Sequence, residues 1–505
     1  MTPASITNGQ AIPLDSIPTL AFPEFERTLL AGVAADQRVT AFFGALTARP
    51  DTTLLYAILA DDAQNQLAVF RTEIEGDSFP SLTPRCPQVH LFEREIAEQF
   101  GLVPTGHPWL KPVRYRRSWT GRDAWNRPAG QPILPGVGDF FRVEGDEVHE
   151  VAVGPVHAGV IEPGHFRFQC HGEQVFHLEI ALGYQHRGIE EALIGGPTPR
   201  TLHYAETLSG DATLAHAGAY AQVLEALAGC KTSPRSQTLL GVALELERMA
   251  NHVGDLGALA NDIGFLPTAS FCGRIRGDFL NLTALMCGNR FGRGLVRPGG
   301  AGFDMEAARV ADFLTRLEAA RKDTEIAVNL LWDSQSVMAR FEDAGPLPKA
   351  MALELGLVGP AARASGLSRD VRQDQPAGLY RFSHIPVATC DTGDVFARAY
   401  VRWLEIQQSL EFIREQIHAL PAGALRAPIG APAPARFAIA LTEGWRGEVC
   451  HVAITDETGR FSRYKVVDPS FHNWMGLAYA LRNQEISDFP ICNKSFSLSY
   501  CGHDL

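Results

Sequence analysis

Nowhere in this chain does an apolar run last long enough to cross a bilayer, because charged or strongly polar residues interrupt every window of about 18. The opening residues, MTPASITNGQAIPLDSIPTL, lack the basic start and continuous apolar segment of a signal peptide. Any membrane is therefore expected to be reached through partners. Positive charge is in deficit as well: Lys and Arg number 45 against 57 Asp and Glu, a net of −12. That balance argues against a broad nucleic-acid-binding surface and leaves room only for local basic pockets. The nine cysteines, at 86, 170, 230, 272, 287, 390, 450, 492 and 501, stand singly, and no pair has the CxxC spacing of a zinc or iron–sulfur site. They read as reduced thiols in a cytosolic compartment. Internal repeats are absent too.

What is present is the composition of a folded protein, 46% hydrophobic and 20% charged over 505 residues, enough for two or three domains. From about Ile17 to Tyr115 strand-like and helix-like pieces alternate. Leu54 to Ala60 and Gln66 to Arg71 read as paired strands with Asp61-Asp62 in the turn, and Val89 to Phe100 as a helix ended by Gly101. Gly, Pro, Trp and Arg without period between Trp119 and Gly138 mark a linker. The expected architecture is α+β: a small α/β domain with its linker over 1–130, then a mainly helical domain over 131–505 with a small antiparallel sheet. That sheet is predicted from Phe140 to Val151 and from Gly164 to Ile180, where apolar residues alternate. Helices are predicted over 201–229, 233–263, 268–290, 304–338, 346–356 and 391–418, with strands near 436–442, 448–454 and 462–466, a helix from Trp474 to Leu481 and an irregular tail.

Function is sought first at Glu206-Thr-Leu-Ser-Gly-Asp-Ala212 and the helix behind it, which carries His216. Small and polar residues there lie between a carboxylate and a histidine, with Tyr220, Val223, Leu224 and Leu227 at helical spacing. The same pattern also fits a plain helix cap. Tyr184-Gln-His186-Arg187-Gly188 sets a histidine and a cation before a glycine that permits close backbone approach, or it is a cap with surface charge. Arg248, His252 and Asp255 share a helical face, either as a site or as an internally satisfied network. His165, Cys170, His171 and His177 have metal-ligating side chains, but strand alternation and their spacing match no common site.

Two sets of motifs resemble known families. Glu93-Arg94-Glu95-Ile-Ala-Glu-Gln-Phe100-Gly101-Leu102, followed by His107-Pro108-Trp-Leu110, resembles the signature of the small peripheral-arm subunit of respiratory complex I. Gly183-Tyr-Gln-His-Arg-Gly-Ile-Glu190, the helix from Glu247-Arg248 to Gly264, Val296-Arg297-Pro298-Gly299-Gly300, Gly393-Asp394-Val-Phe-Ala-Arg398 and Asp468-Pro-Ser-Phe-His-Asn473 resemble the large quinone-site subunit. They are still more similar to the large subunits of membrane-bound energy-converting NiFe hydrogenases, including the formate hydrogenlyase type. The resemblance runs over nearly the whole chain, in the order of a fusion of the two subunits, and implies a hydrogenase-large-subunit-like fold for the second domain.

In those hydrogenases a Glu-Arg-x-Cys-x-x-Cys motif and a C-terminal CxxC supply the four thiolates that hold nickel and iron. Here the matching positions are Ser209, Ala212, Ser499 and Gly502, with Cys501 out of register, so no metal is expected in this chain. The resemblance makes Glu206 the proton-transfer carboxylate, and His157, in the loop Gly154-Pro-Val-His157-Ala-Gly159, the counterpart of the quinone histidine. Gly210 stands where complex I has its quinone tyrosine, and Leu259 where it has a histidine beside the terminal cluster.

The implied function is electron transfer from a 4Fe–4S cluster in a partner subunit to an acceptor, quinone among the candidates, in a cavity lined by His157, Glu206, Asp211 and His216. His186, Arg187, Arg248, His252 and Arg297 are the cofactor-facing candidates, Arg187 next to the partner's cluster. The chain itself is expected to hold no cofactor. Implied for the assembly are a cluster-bearing small subunit, antiporter-like and helix-anchor membrane subunits, NAD binding, and a peripheral place on the cytoplasmic side of the inner membrane. A working NiFe hydrogenase and a non-catalytic coupling scaffold are the alternatives. Hydrogenases of this type are usually trimmed after the last ligand motif; with the chain stopping at His503-Asp504-Leu505, no such processing is expected.

Overall fold

The computed structural model describes residues 2–49, 51–128, 130–136, 138–157 and 162–505. The fold is α+β. Near the N-terminus the β-branched and aromatic runs build a five-stranded sheet in the order Ala4–Ile6, Gln66–Glu75, Thr52–Asp61, Arg38–Leu46, with Thr19–Leu20 parallel to Gln66–Glu75. The helix Phe22–Ala34 covers it through Phe25 and Leu29. His90–Phe100 is buried nearly all round and ends at Gly101, whose φ of 65° and contact with the Arg122 backbone leave no space for a Cβ.

A second sheet ties the two ends of the chain together, in the order Phe461–Val467, Gly447–Thr455, Arg436–Gly444 and, from the N-terminus, Gln10–Pro13. It is buried on both faces. Phe437, Ile439, Leu441, Cys450 and Val452 pack with Phe42, Phe43 and Tyr56 of the first sheet, while Ala438, Ala440, Val449 and Ala453 face the helical core. The boundary expected near residue 130 falls in irregular chain, and the N-terminal core reaches across it to include Phe437, Ile439, Leu441, Cys450 and Val452, beside a distinct helical core.

The helical core is built from Thr213–Ala228, Pro234–Asp262, Leu266–Cys287, Ala307–Trp332 and Val395–His418. Ser233 caps the longest, accepting from Ser236 N with Pro at N1, and Gly229 and Gly288 close two others in the left-handed region. Four expectations need correction. The helix predicted over 201–229 is broken at 208–212, where the Thr213 hydroxyl returns to the Glu206 carbonyl and Asp211 turns out to an arginine. The one predicted over 304–338 stops at Trp332 and restarts as Gln335–Phe341. The strand predicted from Phe140 begins only at Val148, because Phe140 lies against the Arg167 guanidinium and the His165 ring instead. The tail is helical, as Phe489–Phe496 and Tyr500–Asp504, the latter capped by Ser499. Among the described residues no helix is long and apolar enough to cross a membrane.

Candidate functional site

Three segments converge where the sequence places its vacated ligand positions: the break at 208–212, the C-terminal turn 499–505, and the hairpin turn Trp445-Arg446 of the second sheet. The hydroxyls of Ser209 and Ser499 meet at 2.9 Å, and both residues are buried. Arg446 grips Asp211 in a two-pronged pair, Nη1 to Oδ1 at 2.7 Å and Nη2 to Oδ2 at 2.8 Å, and its Nε donates to the Ser497 carbonyl. Burial works to raise the Asp211 carboxyl, but the guanidinium beside it holds it below its usual range. Arg187, exposed, donates to the carbonyls of Thr207 and Leu208 at 2.8 and 2.7 Å and to that of Cys501 at 3.4 Å, so one cation bridges both motifs. Next to it the His186 ring meets the Asp504 carbonyl at 2.7 Å, and its pKa is lowered by burial and by Arg114.

Nickel and iron do not fit this arrangement. Ser209 and Ser499 are hydrogen-bonded to each other, Ala212 has no donor atom, and a Cβ added at Gly502 would stand 2.5 Å from Asp468 Oδ2, so a cysteine there has no space. The one thiol nearby, Cys501, lies 3.4 Å from the Ser499 hydroxyl, and burial, with the Glu162 carboxylate, pushes it up to about 11. Among the described residues no group of three metal-ligating side chains occurs, and His165, Cys170, His171 and His177 are dispersed along their sheet as strand alternation requires.

Asp468, under Gly502, heads a buried line. Its Oδ2 meets His216 Nε2 at 3.0 Å, His216 Nδ1 meets His451 Nε2 at 3.1 Å, and His451 Nδ1 meets the Tyr464 hydroxyl at 2.9 Å. The pairing of the second sheet explains it: His451 lies opposite Val466 and Ala453 opposite Tyr464, so His451 and Tyr464 are diagonal neighbours on the face turned to the helix carrying His216. Burial works to raise Asp468, yet the bond from His216 and the nearby Arg446 hold it below its usual range, while burial drives His451 far down and keeps it neutral. One arrangement gives every contact one donor: Tyr464 to His451, His451 to His216, His216 to Asp468.

The four residues expected to line one cavity keep separate company. Glu206 is buried but turned to the Gly294 N–H, at 2.7 Å, and to the ring of His203, at 3.1 Å, whose side chain is 66% exposed. Arg297 belongs to the same side, its guanidinium near Gly294. His157 sits in its hairpin with Nε2 on the Gly164 carbonyl at 3.0 Å and its ring against Phe166; Ala158 and Gly159 of that loop lie outside the described residues. The hairpin reaches the C-terminal turn through Gly164, packed on Tyr500, and Glu162, which accepts from Tyr500 N. Arg248 and His252, expected to face a cofactor, are instead closed inside the protein: Arg248 on Glu245 and the carbonyls of Glu443 and Gly444, His252 on Glu405 at 2.8 Å. Asp255, grouped with them by helical spacing, pairs with Arg402.

Sequence reasoning passed over Arg446, His451, Tyr464 and the part played by Asp468. Asp468 opens the motif that runs to Asn473; the strand period near 448–466 was the available signal for His451 and Tyr464.

A family model described as the respiratory-chain NADH dehydrogenase 30 Kd subunit matches residues 25–128, and one for the 49 Kd subunit matches residues 262–429. The carbon monoxide-induced hydrogenase of Rhodospirillum rubrum is 31% identical over 346 residues, 68% of this chain and 95% of the relative. Formate hydrogenlyase subunit 5 of Escherichia coli is 28% identical over 445 residues, covering 85% and 78% of the two chains. NADH-quinone oxidoreductase subunit 4 of Thermus thermophilus is 28% identical over 369 residues, covering 68% and 90%. Several of the relatives are named as subunits, which implies partner subunits here. The chain belongs to the family that joins the 30 and 49 Kd subunits of respiratory NADH dehydrogenases, here fused in one polypeptide, to the large subunits of membrane-bound hydrogenases.

Proposed function

We propose that this chain is a peripheral-arm subunit that passes electrons from a 4Fe–4S cluster in an adjacent subunit to a quinone-type or other acceptor, with proton uptake coupled to ion translocation by membrane partners. The observation that supports this most is that hydroxyls stand at two of the vacated ligand positions while Asp468, directly beneath them, heads an unbroken line of hydrogen bonds. Such a place can exchange protons without nickel. Arg187, exposed and tied to both motifs, favours a neighbouring electron carrier in its more negative, reduced form. Glu206 supplies a second proton route: its buried carboxyl touches the exposed His203, so a proton arriving at the surface has one short step inward.

The test uses the whole purified complex. Elemental analysis is expected to find iron at iron–sulfur stoichiometry and no nickel above background; stoichiometric nickel overturns the reading. Glu206→Gln keeps shape and one acceptor oxygen but cannot titrate, so it is expected to leave iron content intact and to slow reduction of a quinone analogue by about 10²-fold or more. A second reading, a coupling scaffold without chemistry, is favoured by how tightly Arg446 fills the site, and quinone-analogue turnover unchanged in that variant would point to it.

A further inference from the structure

The helix Thr213–Ala228 has two polar faces, and the line through His216 uses only one. His216, Tyr220, Val223 and Leu227 face the second sheet, while Gly218, two residues on and so about 200° around the helix, belongs with Ala221, Gln222 and Glu225. This other face borders a cavity of about 710 Å³, within the range of small-molecule sites. Its walls come from the N-terminal segment 7–11, the helix Pro234–Asp262 and the stretch 377–382, and are largely apolar: Leu240, Leu244, Leu379 and Leu441. It touches none of Ser209, Ser499, Asp468 or Glu206.

Two polar groups in this cavity lack the partner that buried polar groups normally have, and a third lacks a counter-ion. Among the described residues the Thr442 hydroxyl, on a residue only 7% exposed, has no hydrogen-bond partner, nor does Gln222 Oε1. Glu225 accepts one bond, from Gly299 N at 2.9 Å, and pairs with no cation among the described residues. The other titratable and charged groups there are engaged, neutral or turned to solvent: Arg372 is held by Asp370 and Glu245, Glu443 by Arg363 and the Val371 N–H, Arg381 by the carbonyls of Pro376 and Asn8, Tyr380 donates to Glu245, the Cys230 thiol is raised by burial and by Glu225 itself, and Lys231 lines the cavity with its side chain exposed and no ion pair to Glu225 among the described residues. The open capacity therefore includes the acceptor Gln222 Oε1, the Thr442 hydroxyl, which can accept or donate, and one carboxyl without a paired cation, between apolar walls. Burial pushes that carboxyl up to about 7, the range in which a bound cation decides whether it ionises. Gly218 widens the space in mid-helix, where glycine is otherwise unfavourable, and a Cβ added there meets nothing within 4 Å.

We propose that this cavity binds a small amphiphilic amine, its ammonium on Glu225 and Gln222 and its apolar body along Leu240, Leu244 and Leu379. The proposal is independent of the electron-transfer reading. Isothermal titration of the purified full-length chain with octylamine, octan-1-ol and octanoate tests it. Saturable octylamine binding is expected, at least tenfold tighter than the alcohol and tighter still than the carboxylate, and strengthening from pH 6 to pH 8 as Glu225 ionises. Glu225→Gln is expected to weaken octylamine at least tenfold, and Gly218→Phe, which fills the space, to abolish binding. Absence of saturable octylamine binding, equal binding of the alcohol or the carboxylate, or wild-type binding by both variants overturns it. Should either variant not fold, the ligand order and pH dependence of the wild type decide alone.

Discussion

The line Asp468–His216–His451–Tyr464 and the cluster centred on Arg363 are both enclosed, but one joins mostly neutral groups end to end and the other packs full charges face to face. Arg363 binds Glu405 and Glu443 at 2.9 and 2.8 Å; Arg372 binds Asp370 and Glu245; Arg248 and His252 close on Glu245 and Glu405. Three arginines face four carboxylates there, so the cluster holds the helices Pro234–Asp262 and Val395–His418 against the second sheet, and the surplus falls on Glu443, which burial and Asp370 push up to about 7. The line of imidazoles can change by one proton: a proton added at His216 Nδ1 reverses the contacts from His216 to His451 and from His451 to Tyr464, while His216 goes on donating to Asp468. Residue type alone does not separate the two, since each contains histidine beside carboxylate. The difference is whether arginines bond the carboxylates directly, as in the cluster, or act only from a distance, as Arg446 does on Asp468.

Removing one member tests that difference most severely in the ionic cluster. Arg363→Met leaves Glu405 and Glu443 buried without their main cation, and urea unfolding is expected to show a loss of about 3–5 kcal/mol. A loss under about 1 kcal/mol would mean that the charges are solvated rather than enclosed. Next in size is the pH dependence of Glu247, which accepts from the N–H groups of Leu214 and Ala215 at 2.7 and 3.2 Å and which burial raises to about 8. Being raised above its unfolded value, it binds a proton in the folded state that the unfolded chain has released. Its contribution is therefore full below about pH 4.5 and is lost as pH climbs to about 8, a decline of at most about 5 kcal/mol. Glu247→Gln is expected to flatten that part of the stability curve; an unchanged slope between pH 5 and 8 would assign the decline to other groups.

The neutral line should give way more gently. His451→Phe strands the Tyr464 hydroxyl and one nitrogen of His216, each a single unmade hydrogen bond, so the expected loss is about 1–3 kcal/mol. His451→Gln, which can still donate to one neighbour, should recover part of the stability without restoring proton passage, so the two variants should differ in melting temperature and share the same slowed turnover in the whole complex. Turnover restored by Gln would make the line a structural brace.

Much of the fold was legible because its signals are local. Gly101 ends its helix where the sequence predicts, and the strands at Arg436–Gly444, Gly447–Thr455 and Phe461–Val467 fall close to where their apolar runs lie, although the helix predicted to residue 290 stops earlier, at Cys287 before Gly288. What escaped depends on distant chain. Gln10–Pro13 completes a sheet more than 400 residues away, which no window reveals. At the site the alignment of Ser209 with Ser499 places two hydroxyls that do touch, 290 residues apart in sequence. Helical spacing, by contrast, correctly put Arg248 and His252 on one face but could not say that Glu405 would close it. Nor could it give the direction of Glu206, which is fixed by the Gly294 N–H from another loop.

The smallest expected effect lies at the surface, and it separates the two kinds of cation in this protein. Arg363 is enclosed and structural, whereas Arg187 is exposed and held only by the carbonyls of Thr207, Leu208 and Cys501. Those three bonds fix its position without neutralising its charge, and a positive charge kept at a surface acts on whatever docks there. Solvent weakens it: at roughly 10 Å in a water-like dielectric one charge contributes about 0.4 kcal/mol, which corresponds to a potential on the order of 20 mV. On the proposed function, Arg187→Met in the whole complex is thus expected to lower the midpoint potential of the iron–sulfur cluster proposed for the adjacent subunit by that amount, with the assembly intact. Redox titration followed by electron paramagnetic resonance measures it, and the shift should shrink as ionic strength rises. A variant with an unaltered potential at low salt would leave Arg187 as a clamp between the two vacated ligand motifs, with no electrostatic reach into the partner.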